Sequence, residues 1–287
     1  MTALHLSKLH ATGNDFLVLD ALDGAGVGPP LRAGAVAALC DRHRGVGADG
    51  LLTLGPGTDG ADCTMTLANA DGGIAEMSGN GVRCLAWVAA QRGLGTRERL
   101  VVDTAAGRRV VDFVCDAAGN VVAGVVDMGA ITFDPAQIPV DVDSPFDLEA
   151  TVHGTIYRGD AAGVGNPHFV LFVDDPSEAR VVQHGPRLEH DSRFPHRTNV
   201  EFVAVSASDA LHVRVWERGV GETLSCGTGA CAAAAVAHRR GLVGHDVKVH
   251  VAGGVLTVTL GDTVRLGGPV AHVFDVDVDP DVLASVA

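Results

Sequence analysis

The feature that most constrains this chain is a repeated one. Ser78-Gly-Asn-Gly-Val-Arg-Cys-Leu-Ala and Cys226-Gly-Thr-Gly-Ala-Cys-Ala-Ala-Ala each join a glycine-rich turn to an apolar helical run, 226 − 78 = 148 positions apart. Two further similarities keep the same order and nearly the same offset. Gly13-Asn14-Asp15-Phe16 resembles Gly165-Asn166-Pro167-His168-Phe169 at 165 − 13 = 152, and Val102-Asp-Thr-Ala-Ala-Gly107 resembles Val249-His-Val-Ala-Gly-Gly254 at 254 − 107 = 147. Three weak similarities at one offset predict an internal duplication, with two halves of one fold about a pseudo-two-fold axis.

The chain has 287 residues, enough for two domains of ordinary size. Short β-like runs dominate: Phe16–Leu19, Leu51–Leu54, Thr64–Leu67, Leu100–Asp103, Arg108–Val114, Val121–Val126, Phe169–Val173, Val200–Val205, Leu211–Trp216, Val247–Val251, Val255–Leu260 and Val273–Val278. Helices are expected at Ala33–Arg42, from Ser78 to Arg92, at Pro176–Val182 and from Cys226 to Arg240, with Gly93 and Gly241 as stop signals. Pro135, Pro139 and Pro145 make Asp134–Pro145 the best boundary by composition, so a junction near 125–145 is expected.

Composition removes several classes of function. A net charge of −14 disfavours nucleic acid and anionic membranes as partners, because both demand clustered Lys and Arg. There is no uninterrupted apolar stretch of about 18 residues, which argues against a spanning helix. The first residues carry no basic region followed by an apolar one, so the cytoplasm is the expected compartment. The six cysteines form no C-x-x-C pair, and free thiols rather than a metal site are expected. Only Lys8 and Lys248 could form a Schiff base and no phosphate loop exists, so no cofactor is expected. A small polar substrate fits this balance.

A glycine-rich turn leading into an apolar helix leaves backbone N–H groups unpaired where the helix dipole favours negative charge. Two such starts suit a substrate carboxylate, held by the amides of Gly79/Asn80 and Gly227/Thr228, and they stabilise the carbanion-like charge that forms when an α-proton leaves. Inversion at that carbon needs an acid on one face and a base on the other. Cys226 suits the base role, since a helix N-terminus lowers a thiol from about 8.5 toward neutrality. Ser78 is a far weaker acid and needs strong stabilisation or a water to relay a proton.

Together these residues resemble the diaminopimelate epimerase family along nearly the full chain. The matching motifs are Lys8-Leu-His-Ala-Thr-Gly-Asn-Asp-Phe16, Asn69-Ala-Asp-Gly72, Glu76-Met-Ser-Gly-Asn-Gly-Val-Arg-Cys84, Gly165-Asn-Pro-His168, Asn199-Val200 and Glu217-Arg-Gly-Val-Gly-Glu-Thr-Leu-Ser-Cys-Gly-Thr-Gly-Ala-Cys231. The resemblance implies conversion of LL-diaminopimelate to the meso form in lysine and cell-wall precursor synthesis, by a homodimer. It implies an α+β fold of two pseudo-symmetric domains, each a mostly antiparallel sheet wrapped around a central helix: residues 1–130, joined by 270–287, and residues 131–269. By motif, Cys226 looks like one catalytic base, His168 and Glu217 look like residues that support catalysis, and Asn14, Asn69, Gly79, Asn80, Asn166, Asn199, Glu217, Arg218, Gly227 and Thr228 look like substrate contacts. Ser78 stands where the family usually has its second catalytic cysteine, and near Gly50 a frequent glutamine is missing.

Each of these residues also has a plain structural reading. Ser78 is a good helix cap; Asn14 and Asn166 suit turns; Glu217-Arg218 fits a solvated strand end; His168 fits a structural histidine beside Pro167; a buried cysteine usually packs. Cys84 lies about 9 Å along the helix from Ser78, on another face, and is expected to pack, as are Cys40, Cys63, Cys115 and Cys231. Three rival functions follow: a racemase, dehydratase or isomerase for another substrate on the same fold, a hydrolase with Cys226 as nucleophile and His168 as base, and an amino-acid binder lacking one acid. Proton transfer at an α-carbon, with Cys226 on one face and Ser78 or a water it holds on the other, is the expected reaction.

Overall fold

The structure is a computed structural model that describes residues 3–23 and 31–279. Its strands in chain order are β1 (Leu4–Ala11), β2 (Asn14–Asp20), β3 (Gly50–Pro56), β4 (Cys63–Asn69), β5 (Ile74–Ala75), β6 (Arg99–Thr104), β7 (Gly107–Cys115), β8 (Val121–Asp127), β9 (Leu148–Val152), β10 (Thr155–Gly163), β11 (Pro167–Phe172), β12 (Asn199–Ala207), β13 (Ala210–Glu217), β14 (Gly221–Thr223), β15 (Asp246–Val251), β16 (Gly254–Thr259), β17 (Arg265–Pro269) and β18 (Ala271–Val278). The helices are α1 (Ala33–Cys40), α2 (Gly79–Gln91), α3 (Val181–Glu189) and α4 (Gly227–Arg239). This is the strand-rich α+β composition expected from the sequence.

The chain divides into two compact units, with crossings after Val126 and before Gly268. In the first, β1 pairs antiparallel with β2, β2 runs parallel to β3, and β3 is antiparallel to β4. A second parallel pairing, β4 with β6, leads into the antiparallel run β6–β7–β8. Strand β18 pairs antiparallel with β1, from Leu4↔Val278 to His10↔Ala271; of the return segment expected at 270–287, residues 280–287 lie outside the described residues. The sheet surrounds α2, which is buried on every side from Gly79 to Ala89 except at Trp87. A helix apolar all round belongs inside a core.

The second unit repeats this plan. Strand β10 pairs antiparallel with β9 and β11, β11 runs parallel to β12, β12 is antiparallel to β13, and β13 is parallel to β15 before the antiparallel β15–β16–β17. Helix α4 is central here, buried from Gly227 to Ala237 except at Thr228. Both central helices have 13 residues and stop in the same way. Gly93 and Gly241 sit at φ 73° and 70°. The amides of Gly93 and Leu94 donate to Ala90 and Ala89, and those of Gly241 and Leu242 to His238 and Ala237, which is the Schellman ending in both units.

One expectation from the sequence is corrected. The helix expected at Pro176–Val182 forms instead at Val181–Glu189, with Gly185 and Pro186 inside it. Burial of Val181 and Leu188 outweighs the breaking tendency of Pro186. At Gly185 the helix lies against Trp216, whose ring would be 2.6 Å from an added Cβ. The division after Val126 lies at the near end of the junction expected at 125–145; within the proline-rich Asp134–Pro145 segment, Ile138 and Val140 are buried in the core of the second unit with Phe169, Val200 and Phe202.

Candidate active site

In the first unit the residue before α2 is Ser78, in extended conformation at φ −135° and ψ 124°. Its Oγ accepts the Gly81 amide at 3.0 Å, and its carbonyl accepts the Val82 amide. Because Oγ serves as acceptor, its hydrogen is left for another partner. Asn80, on the first turn, donates through Nδ2 to Asn14 Oδ1 at 3.1 Å and accepts from Arg83 at 2.6 Å. Asn14 in turn donates to Asp49 Oδ2 at 2.7 Å. Asp15 receives Lys8 and, through both its oxygens, Arg42. Burial pushes the Asp15 carboxyl upward, but these two cations outweigh it and hold it at about 2. Asn69 ends β4 opposite Gly50, exposed where the turn to Gly73 begins. A side chain at Gly50 would bring Cβ to 2.7 Å from the Ala68 carbonyl oxygen, so backbone crowds this position.

The second unit builds the same helix start with different chemistry. Cys226 precedes α4 at φ −121° and ψ 114°, and its Sγ accepts the Gly229 amide at 3.4 Å. Thr228 Oγ1 lies 3.5 Å from that sulfur and 3.4 Å from Asn166 Nδ2. Asn166 Oδ1 is 2.9 Å from His168 Nε2, and His168 Nδ1 is 2.7 Å from Glu201 Oε1. A continuous polar chain therefore runs Glu201, His168, Asn166, Thr228, Cys226, and both ends of it are buried. Glu217 reaches the same sulfur from β13 and is bonded by the Thr223 hydroxyl and the Cys226 thiol.

This environment corrects the expectation that the helix start gives Cys226 a thiolate near neutral pH. Burial pushes the thiol well above its ordinary range, and the Glu217 and Glu201 carboxylates push it further; Thr228 and the Gly229 amide pull the other way and are outweighed. A helix N-terminus presents only about half a positive charge, against desolvation and two neighbouring carboxylates. Burial also raises Glu217, with Glu201 adding to the shift against the hydrogen bonds from Thr223 and Cys226. The thiol thus stays protonated, and the upward shift makes the Glu217 carboxylate beside it a better proton acceptor than an ordinary carboxylate. Burial is the main cause that pushes Cys63 and Cys84 up to about 12 and Cys40 to about 11, with nearby charges contributing less, in keeping with packing roles.

Asn199 and Arg218 form a bracket at the edge of this cluster. Asn199 Nδ2 donates to the Pro167 carbonyl at 2.9 Å, and its Oδ1 accepts the Arg218 amide at 2.9 Å, so the side chain ties the start of β11 to the turn after Glu217. The Arg218 guanidinium is exposed and bonds the His196 carbonyl. Glu189, at the end of α3, accepts from Trp216 Nε1 at 2.7 Å and the Gly219 amide at 2.9 Å, which fixes that turn from below.

Sequence reasoning passed over Glu201, Asp49 and Glu189. Glu201 had a signal: it is the one charged residue in the apolar run Val200–Val205. Glu189 had none, because the helix that carries it was placed too early. Among the described residues no group of three or more His, Cys, Asp or Glu is placed to hold a metal ion, and no helix is long and apolar enough to cross a membrane.

Comparison with known proteins places this geometry among relatives. The sequence model of a family described as diaminopimelate epimerase matches residues 6–133 and 161–270. A diaminopimelate epimerase of Heliobacterium modesticaldum is 42% identical over 277 residues, covering 93% of this chain and 96% of the relative. One from Burkholderia ambifaria is 41% identical over 292 residues, covering 96% and 98%. Among solved structures, a hydroxyproline epimerase from Agrobacterium vitis superposes with a TM-score of 0.71 at 20% identity, covering 99% of this chain and 96% of that one. A phenazine biosynthesis protein of the PhzF family from Bacillus anthracis gives 0.69 at 15% identity, covering 97% and 100%. At those identities the two structures show a shared fold.

Proposed function

The chain belongs to the diaminopimelate epimerase family, and on that premise we propose that Cys226 and Ser78 are the two groups that exchange protons at the substrate α-carbon. The enzyme is an isomerase that converts LL-diaminopimelate to the meso form, a step of lysine and cell-wall precursor synthesis. What carries the residue assignment is the duplicated helix start: each unit places its capping side chain on the first-turn amide of a buried helix, with Gly79/Asn80 or Gly227/Thr228 beside it.

The reaction begins when Glu217 accepts the Cys226 thiol proton and the thiolate takes the α-hydrogen as a proton. The carbanion this leaves is stabilised by helix-start amides on the adjacent carboxylate, and Ser78, or a water it holds, returns a proton to the opposite face. His168 supports Cys226 through Asn166 and Thr228. Asn14, Asn69, Asn80, Asn166, Asn199 and Arg218 hold the substrate's polar ends directly or through the residues they bracket. No cofactor takes part, in keeping with a chain that has only two lysines. The protein works in the cytoplasm as a homodimer; β18, paired only with β1 among the described residues, exposes Val273 and Phe274 for such an association.

The test is incubation with LL-diaminopimelate in deuterated water. Formation of the meso isomer with one deuterium at the inverted carbon is expected, and folded protein that gives neither inversion nor exchange would sink the assignment.

A further inference from the structure

The fold does not need a carboxylate at Glu201, and the duplication supplies the control. The parallel pair β11–β12 sets Val170 against Glu201, as β2–β3 sets Leu17 against Leu51. Leu51 is packed in the core of its unit. At the equivalent place the second unit buries a charge with no accessible surface, although an apolar residue is ordinarily the cheaper occupant of such a position.

What surrounds Glu201 accounts for it. Oε1 is 2.7 Å from His168 Nδ1, and the ring is as deeply buried as the carboxylate. The same oxygen lies 2.7 Å from where a Cβ on Gly229 would stand, so Glu201 reaches the underside of the α4 start through a gap that only glycine leaves. Its other oxygen, Oε2, is buried with no hydrogen-bond partner among the described residues. The remaining titratable groups facing the pair are Glu217 on β13 and Cys226 on α4.

We propose that Glu201 is a positioning residue of the epimerase: its carboxylate accepts the proton on His168 Nδ1 in a hydrogen bond and fixes the ring with Nε2 against the Asn166 side-chain amide, which Thr228 links to the Cys226 sulfur. A carboxylate behind an imidazole fixes which nitrogen is protonated and how the ring is turned. Its second effect is on the sulfur, which Glu201 helps keep as a thiol until Glu217 accepts the proton. The role in turnover rests on the epimerase reading; the effects on the ring and the sulfur do not.

The test uses the full-length enzyme labelled with 15N-histidine, with E201Q and E201L beside it; E201L repeats the leucine of the first unit, and E201Q keeps an oxygen without the charge. In the wild type, Nδ1 of His168 is expected to carry the proton, and in E201L that preference is lost. Cys226 is expected to react with iodoacetamide at about pH 8 at least about threefold faster in E201Q, because one neighbouring negative charge is gone. Turnover of LL-diaminopimelate should fall by about 10–100-fold in kcat with little change in KM in both variants, the usual consequence of losing the group that orients a working histidine. A wild-type ring protonated only on Nε2 overturns the inference whatever the variants do, as does unchanged alkylation of Cys226 in E201Q. If the ring and alkylation results hold while the wild type gives no exchange on LL-diaminopimelate, the epimerase reading fails and the positioning of His168 stands.

Discussion

Replacing Ser78 separates a helix cap from a proton donor, because the two roles respond on different scales. The hydroxyl accepts the Gly81 amide at 3.0 Å, and removing a cap of this kind costs about 1 kcal/mol, within a range of roughly 0.5–2. For a unit of this size that lowers the melting temperature by about 2–4 °C. Loss of a positioned acid or base costs about 100-fold to 10,000-fold in rate. Ser78→Ala removes both functions, whereas Ser78→Asn keeps a capping oxygen and supplies no exchangeable hydroxyl. The alanine variant is therefore expected to melt a few degrees lower, the asparagine variant near the wild type, and both to lose inversion by about 100-fold or more.

A two-base reaction gives a sharper signature than rate alone. With Cys226 and Glu217 intact, either variant should still wash solvent deuterium into the α-carbon of the one epimer whose hydrogen faces the sulfur, without inverting it. Ser78→Cys should raise inversion by about tenfold or more, since a thiol ionises far more readily than a hydroxyl. Proton NMR of both epimers in deuterated water, with thermal melts of the same samples, reads all of this at once. Inversion within about twofold of wild type in Ser78→Ala, alongside the few-degree loss in melting temperature, refutes the proton-transfer role and leaves the cap.

Two other perturbations test the surroundings. Asp15 has a folded-state value of about 2 against an ordinary 3.8, so it contributes about 2 kcal/mol that is fully present above about pH 5 and is lost as pH falls toward 2; chemical denaturation across that window should show the loss in the wild type and lack that part in Asp15→Asn. Gly229→Ala would place a methyl 2.7 Å from Glu201 Oε1 and 3.3 Å from Cys226 Sγ, so a loss of about 1–3 kcal/mol in stability is expected, with a larger proportional loss of turnover; an alanine variant at wild-type stability and rate would mean the helix start yields more than its packing implies.

How much was legible in the sequence depends on which force decides each element. The glycine-rich helix starts and the glycines that end their helices were readable, because left-handed backbone and unpaired amides leave few alternatives in residue type: Gly93 and Gly241 are where the pattern put them. Asn14 and Asn80 were picked out by motif, and the structure joins them through a hydrogen bond. Helix α3 was misplaced because tertiary burial of Val181 and Leu188 overrides the local signal of Gly185-Pro186. The protonation of Cys226 was misread for a related reason. A helix start is visible in sequence, but the carboxylates that outweigh it come from β12 and β13 and are set beside the sulfur only by the fold.

The duplicated frame also separates what the backbone requires from what the chemistry requires. Where both units carry the same kind of residue, geometry is the common cause: the two stopping glycines, the capping oxygen or sulfur, and the glycine three residues beyond each cap. Where they diverge at a matched place, the frame tolerates either residue and the difference belongs to function. Leu51 stands against Glu201, and Ser78 against Cys226. The first unit thereby holds an unionised hydroxyl beside a neutral cap with its charges gathered on Asp15, Arg42 and Lys8. The second concentrates two carboxylates and an imidazole around one thiol. Two equal helix starts would offer two equal acids; this chain gathers carboxylates and an imidazole at the Cys226 start, so in the proposed two-base reaction the driving proton chemistry comes from Cys226.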